Sequence, residues 1–285
     1  MKNKIALFLA LVFFVGALHV VYANALDDGM ADYYQKSWAQ AQAEFQKVLQ
    51  NDPNNSLALV YYIVCAYRDG DFTRIMGNLE DHLVDYPDDQ HAAIELAFFH
   101  YTQAYIEGSD PAQALREFRQ AALKGPNPLV HTGIGIVYYD IGDLTRAQKE
   151  LARAMDMNPK DVLAYEYAGK ILLSFAKDPK DALPYFQEVV ALAPNYPDGH
   201  YYLARTLSQL GEAADAVAEY QKTIALDPLG VGRGGDARME LGDLYLKLGE
   251  FNKAREMYRE ALQLDPNNSL AKARLEKVAK EAQGK

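Results

Sequence analysis

The chain has one cysteine, Cys65, among 285 residues. A lone thiol makes no internal disulfide, so the fold must be held by packing alone. There is no His-Glu-x-x-His pair, no cysteine pair and no dense grouping of histidine with acidic residues, so no metal ligand set is visible in the spacing. Nor does any nucleophile with a neighbouring base, or any acid/base pair, stand out, and the expectation is a protein that is not an enzyme and needs no cofactor. Basic residues are in deficit, with 29 Lys and Arg against 39 Asp and Glu and a net charge of −10. That balance argues against nucleic acid or an anionic lipid surface as the main partner. It suits a soluble scaffold, or a partner that carries a basic patch. Cys65 itself lies among Tyr61, Tyr62, Ile63, Val64 and Tyr67 and reads as a small buried residue, with an intermolecular disulfide as the alternative.

Long apolar runs are also scarce. The one candidate, Ile5 to Val21, follows Lys2 and Lys4 and precedes Ala23-Asn24-Ala25. A basic start, an apolar stretch and an A-x-A site are the parts of a secretory signal peptide, here residues 1–25. The alternative is an uncleaved membrane anchor, for which a run of this length is at the short end. In either case positive charge lies before the run and Asp27, Asp28 and Asp32 after it, which sends the body out of the cytoplasm. No cysteine near the site suggests a lipid anchor. The short basic start and A-x-A site have a bacterial look, and the expected location is the periplasm or the cell exterior.

What the chain has in abundance is period. Pro53, Pro87, Pro126, Pro159, Pro194, Pro228 and Pro266 follow one another at steps of 34, 39, 33, 35, 34 and 38 residues. Each closes a block of one shape. The last reads Leu241, Gly242, Tyr245, Gly249-Glu250-Phe251, Ala254, Tyr258, Ala261, Pro266. The fourth reads Ile134, Gly135, Tyr138, Gly142-Asp143-Leu144, Ala147, Leu151, Ala154, Pro159. Apolar residues recur at three and four, which is helical spacing. A Gly-Asp or Gly-Glu pair splits each block into two helices, the glycine free to take the left-handed end of the first and the acid suited to the start of the second. Gly242, Ala254 and Ala261 are expected where two helix backbones approach, and Phe45, Phe118, Phe186, Tyr220 and Tyr258 in the wedge between hairpins. Proline stops the second helix, and Asn54-Asn55-Ser56 or Asn267-Asn268-Ser269 can cap the next.

These blocks resemble the tetratricopeptide repeat family over essentially all of Leu26 to Pro266. The match is fullest in the seventh block and weakest in the second, where Ile75, Leu79 and His82 stand at the Ala, aromatic and Ala positions. Trp38 departs from the family's early tryptophan position and sits at the turn into a second helix. The resemblance implies an all-α fold: a right-handed α-solenoid of about seven helix-turn-helix hairpins over 26–266, then a capping helix and tail over 267–285. The first helix of the first repeat matches poorly and is expected to fray. Two insertions break the period. One lies around Tyr105 to Pro111, between the helices of the third block. The other is the linker Leu229 to Gly235, whose glycines invite a phosphate-loop reading, although no strand precedes them. A flexible linker is the better reading, with Arg233 free to touch a partner.

In such arrays the first helices line a concave groove, and the resemblance implies which positions face it. Val64, Tyr67, Phe98, Tyr101, Ile136 and Tyr139 make the first half apolar and aromatic. Lys170, Tyr201 and Arg205 give the second half mixed charge. Tyr67, Tyr101 and Tyr139 hold one equivalent position in successive repeats, so stacking would set them in a row. Tyrosine offers apolar area with one polar tip, which suits a binding surface, although plain packing would use the same residues. The clamp for C-terminal carboxylates found in some family members needs Lys and Asn on successive first helices, and these positions lack them. The expected ligand is an extended or helical protein segment of an envelope machine: a pilus, a secretion apparatus or a polysaccharide exporter. A glycan or peptidoglycan, as in an accessory subunit of an envelope enzyme, is one alternative. Self-association, with the chain's own terminus or a neighbour's in the strip, is another.

Overall fold

The computed structural model describes residues 25–283, and these are helical throughout, with no strand among them. The leader segment lies outside the described residues, apart from its last residue, Ala25. The helices are α1 (25–34), α2 (Trp38–Asn51), α3 (Ser56–Asp69), α4 (Phe72–Asp85), α5 (Gln90–Glu107), α6 (Ala112–Ala122), α7 (Pro128–Asp140) and α8 (Leu144–Met157). Then come α9 (Val162–Lys170), which runs on into a π-helical turn at Ile171–Ala176, and α10 (Pro179–Leu192), α11 (Pro197–Leu210) and α12 (Ala213–Leu226). The last are α13 (Gly234–Lys247), α14 (Phe251–Leu264) and α15 (Ser269–Gln283). Successive helices from α2 to α15 pack on each other.

The two kinds of helix differ in burial, and the difference sets the layers. The second helix of a pair buries one stripe: Ala147, Leu151 and Ala154 in α8, or Ala254, Tyr258 and Ala261 in α14. Such a stripe packs one face and leaves the other to water. A first helix is buried on most sides, as α7 is from Leu129 to Tyr138 with only His131 partly open, so the first helices form the inner layer. Phe45, Phe118, Phe186 and Tyr258 are wholly buried, each contributing about 2–3 kcal/mol by area. Each ring fills a space that a glycine keeps open. A Cβ on Gly242 would lie 2.5 Å from the Tyr258 ring, and one on Gly133 2.4 Å from that of Phe118. A ring, rather than a second backbone, is therefore what holds Gly242 small. Across the pairs, His100 and His131 each set Nδ1 2.7 Å from a second-helix carboxylate, Glu117 and Glu150.

The turn chemistry follows the sequence pattern. Gly70, Gly142, Gly211 and Gly249 have φ between 78° and 88° and end first helices, while Asn55 and Asn268 accept from the amides of Ala58 and Ala271. Two details depart from it. The added residues of the third block do not form a loop. They lengthen α5 to 18 residues, where α3 and α11 have 14, before Gly108 stops it in the left-handed region. The 35-residue step to Pro194 is absorbed by the π-helical turn after α9, which ends at Lys177 with φ 54°. A π-turn is the usual way to fit an extra residue into a helix without breaking it.

The array curls until its start meets its second half. At the first contact, Ser56 Oγ, at the head of α3, donates to Asp161 Oδ1 (2.6 Å), and Thr132 of α7 donates to Asp161 Oδ2. At the second, the Tyr61 ring of α3 meets Tyr196 edge-on at 6.1 Å. The third brings Tyr34 of α1 against Gly232, where an added Cβ would lie 3.1 Å from the ring. Fraying of α1 is therefore not seen: Met30, Tyr33 and Tyr34 are buried because α1 has a dock, even though its own repeat signature is poor.

That dock is the glycine-rich insertion. The amides of Val231, Gly232 and Gly234 all donate to the Asp227 carboxylate, at 2.8, 2.8 and 2.7 Å. Amides gathered this way form an anion nest, and here the anion is the chain's own fully buried Asp227. The segment is thus an ordered turn rather than a flexible linker, and the three amides of the nest are already taken. Arg233 is not free for a partner either. Its guanidinium donates to Asp198 (3.0 Å), Asp236 (3.1 Å) and the Tyr202 hydroxyl (3.0 Å).

Candidate functional site

The inner face has two parts, a filled interior and an open rim. In the interior, Lys170 Nζ lies 3.9 Å from the Tyr167 ring centre, 5.2 Å from that of Tyr139 and 5.4 Å from that of Tyr202. Glu166 stands 3.3 Å from the same ammonium and also accepts from the Tyr196 hydroxyl at 2.6 Å. A buried charge persists only when paired and bonded, and this one has a carboxylate on one side and three rings on the others. Tyr34 and Tyr61 join hydroxyls at 2.8 Å close by. The deep part of the inner face is thus occupied by the chain's own tyrosines, among them Tyr34 of α1, Tyr61 of α3 and Tyr196 at the start of α11.

The sequence-derived groove positions divide accordingly. Phe98 and Ile136 are fully buried core residues and line no open surface, since the first helices pack on both neighbours there. Lys170 and Tyr201 are also buried. Tyr201 donates to Glu240 (2.8 Å), and Arg205 pairs with the same carboxylate at 3.3 Å, forming a separate group further along. Val64 is half-buried against the core. Tyr101 and Tyr139 are half-buried and border the Lys170 cage. The Tyr101 hydroxyl donates to Asp140 Oδ2 at 2.6 Å, and Tyr139 stands edge-on between Tyr167 (5.1 Å) and Phe175 (5.8 Å). Tyr67 packs edge-on against Phe72 at 5.7 Å. No ring contact joins Tyr67, Tyr101 and Tyr139 to one another among the described residues; each ring meets other neighbours.

The rim is where apolar area meets water. At the far ends of successive first helices stand Tyr67, Tyr105, Ile141 and Phe175, exposed by 43, 71, 51 and 52 %. Single exposed apolar residues are ordinary, and a run of them along one edge is what a contact surface needs. Between α5 and α7 the rim opens into a pocket of about 330 Å³, walled by Tyr101, Tyr105, Pro111 and Ile141 with Asp140 at one side. Partial burial raises the Asp140 carboxyl above its ordinary value, and the bond from Tyr101 and the more distant charge of Lys170 only partly offset that. Burial is also the main reason the Tyr101 hydroxyl is held well above its ordinary value, and it stays a donor.

Sequence reasoning missed Tyr105, Asp140, Ile141 and Phe175. Two of them lie in breaks of the period, and that was the available signal: the added turn of α5 carries Tyr105, and the π-turn carries Phe175, whereas Asp140 and Ile141 end a regular first helix and carried no such signal. Among the described residues there is no group of three or more His, Cys, Asp or Glu able to hold a metal. No helix there is long and apolar enough to cross a membrane.

Three family models, each described as tetratricopeptide repeat, match the chain: one over 26–74 and 132–197, a second over 176–230, a third over 235–268. Among curated proteins, a DnaJ homolog subfamily C member 7 homolog of Schizosaccharomyces pombe is 22% identical over 256 residues, covering 87% of this chain and 49% of that protein. A UDP-N-acetylglucosamine--peptide N-acetylglucosaminyltransferase of Giardia intestinalis is 28% identical over 152 residues, 52% of this chain and 10% of the enzyme. The chain thus spans half or less of the length of these relatives. Among solved structures, the APC/C hetero-tetramer Cut9-Hcn1 superposes with a TM-score of 0.66 at 15% identity, over 90% of this chain and 48% of that one. YrrB, described as a TPR protein with an unusual peptide-binding site, gives 0.52 at 22%, over 68% and 95%. At these identities the likeness extends to the fold.

Proposed function

We infer that this tetratricopeptide-repeat protein is a non-enzymatic scaffold that holds a segment of a partner protein along the open rim of its first helices. The observation that carries the reading is the exposed edge Tyr67, Tyr105, Ile141 and Phe175 beside a pocket, on an inner face whose deeper part is already filled by the chain itself. Interiors of such arrays bind only where area is free, so the rim replaces the groove floor as the contact surface. A binding role is supported by the description of one structural neighbour as a TPR protein with an unusual peptide-binding site. The transferase match covers too little of that enzyme to bring its chemistry along.

The finer reading is export to a bacterial envelope, periplasmic or secreted, where the scaffold assembles a pilus, secretion or polysaccharide-export machine. It rests on the basic start, the apolar run and the A-x-A site. A glycan or peptidoglycan ligand is the alternative, favoured by the open ring faces of Tyr105 and Phe175. Binding to purified cell-wall glycan separates the two.

The test of the main reading is the double variant Tyr105→Ala/Phe175→Ala, with a photoreactive residue at position 141 for crosslinking in cells. Both rings are exposed, so the thermal midpoint should hold while crosslinked partner falls about tenfold or more, as hot-spot aromatics dictate. Equal crosslinking by both proteins would refute the rim as the contact surface.

A further inference from the structure

We propose that the pocket between α5 and α7 takes a lysine or arginine side chain of the partner segment, its charged end pairing with Asp140 and its stem lying along Tyr101 and Tyr105. This rests on the scaffold reading and names what one subsite of the rim recognises.

Several independent features converge on a cation. The pocket exists because α5 has one more turn than the other first helices, and that turn supplies Tyr105 as a wall. At about 330 Å³ it is at the small end for a ligand site, with room for a single long side chain. Its one charged lining group is the Asp140 carboxylate. Tyr101 bonds one of its oxygens, and no cation lies within ion-pairing distance among the described residues. Partial burial already penalises the charged carboxylate, so a cation brought to it gains more than it would at an open surface. The end of α5 adds Glu107 and the turn after it Asp110, and the whole chain carries −10, so an approaching basic segment is drawn in and an acidic one repelled.

The molecule also holds an internal example of the same recognition. One layer deeper, Lys170 sits 3.9 Å over the Tyr167 ring beside Glu166 at 3.3 Å. Tyr101, Tyr105 and Asp140 repeat that set, rings with one carboxylate, at the surface and without the ammonium. The aromatic ring is negative on its face, and the aliphatic stem of Lys or Arg packs on it while the charge reaches past.

The experiment starts from the full chain without its leader and a displayed library of random dodecapeptides. Peptides are selected on the wild type, and the tightest is resynthesised with a fluorophore for anisotropy. The expected result is a basic residue common to the selected peptides. Replacing that residue by norleucine should weaken binding about tenfold, Asp140→Asn should weaken the basic peptide by a similar factor, and the norleucine peptide should bind both proteins alike. A second variant, Tyr105→Leu, keeps apolar area but removes the ring face, and should weaken the basic peptide severalfold more than the norleucine peptide. Circular dichroism and the thermal midpoint report whether each variant folds. Peptides that bind, that are lost in Tyr105→Ala/Phe175→Ala and yet lack a basic residue or ignore Asp140→Asn overturn the proposal and leave the scaffold reading standing. Failure to select any peptide overturns both.

Discussion

Removing the Asp161 carboxylate should open the curl, and the cost can be worked from its partners. Asp161 caps α9 through the Ala164 amide at 3.1 Å, accepts from Ser56 Oγ at 2.6 Å, and accepts from Thr132 Oγ1. Losing a cap costs about 1 kcal/mol. Thr132 retains the Pro128 carbonyl at 3.1 Å, so its hydroxyl keeps a partner. Ser56, 2 % exposed, has no other side-chain partner and is left unpaired, at about 1–3 kcal/mol. Asp161→Ala should therefore destabilise by about 2–4 kcal/mol, and Ser56→Ala by about 1. The informative control is Asp89, two residues after Pro87 as Asp161 is two after Pro159. It caps α5 through Ala92 at 3.1 Å but is otherwise bonded only to His82, at the surface. Asp89→Ala should cost little more than the cap, about 1 kcal/mol. Urea denaturation of the wild type, the three single variants and the double variant Ser56→Ala/Asp161→Ala gives these values and the coupling, and a fluorophore pair on α4 and α10 should show the second and fifth repeats parting when Asp161 is replaced but not in Asp89→Ala. Equal losses for Asp161→Ala and Asp89→Ala, with no coupling between Ser56→Ala and Asp161→Ala, would refute the idea that this residue ties distant repeats together.

Two further predictions concern buried groups. Burial, helped by Glu166 and opposed by Arg233, pushes the Asp198 carboxyl up to about 6. A raised carboxyl stabilises the fold fully below its unfolded value of 3.8 and loses that contribution as pH rises through about 6; denaturant midpoints should therefore fall between pH 4 and 7, and Asp198→Asn should flatten that part of the profile. Burial also pushes the Cys65 thiol up to about 12, and its side chain is wholly enclosed. Maleimide at pH 8 should leave the native chain unlabelled and modify it at once in denaturant; rapid native labelling, or a disulfide-linked dimer on a non-reducing gel, would contradict the buried reading.

The architecture was legible because the signals are local. A proline that stops a helix, a glycine that turns it and a carboxamide that caps the next all act within a few residues, and Gly142, Asn55 and Asn268 adopt the roles their positions imply. The extra turn of α5 was misread as loop because the turn pattern was expected one period on. Ala104, Tyr105, Ile106 and Glu107 contain no breaker, and the stop comes only at Gly108. The glycine-rich insertion was misread for a related reason. Its amides have a partner in Asp227, just before the segment, which looks like an ordinary residue of a helix end. The candidate site was read less well than the fold. Repeat arithmetic finds the inner face of each helix but not what else reaches it. Tyr61 and Tyr196 are 135 positions apart in sequence, and nothing near either residue announces the other. Hence Phe98 and Ile136 were counted as groove lining, while the rim residues at the irregular steps were passed over.

The bond from Ser56 to Asp161 has a consequence for how such a gene can change. Repeat proteins ordinarily grow and shrink by copying or dropping whole units, since each unit touches only its neighbours and the remainder closes up unharmed. Here the second and fifth units are joined directly, and α1 rests against the link before the seventh. Adding or deleting one unit between them would carry Asp161 and the Asp227 turn round the axis and away from their partners. These contacts trade modular freedom for a fixed number of units, and chains that keep them should vary in loops and side chains far more readily than in repeat count.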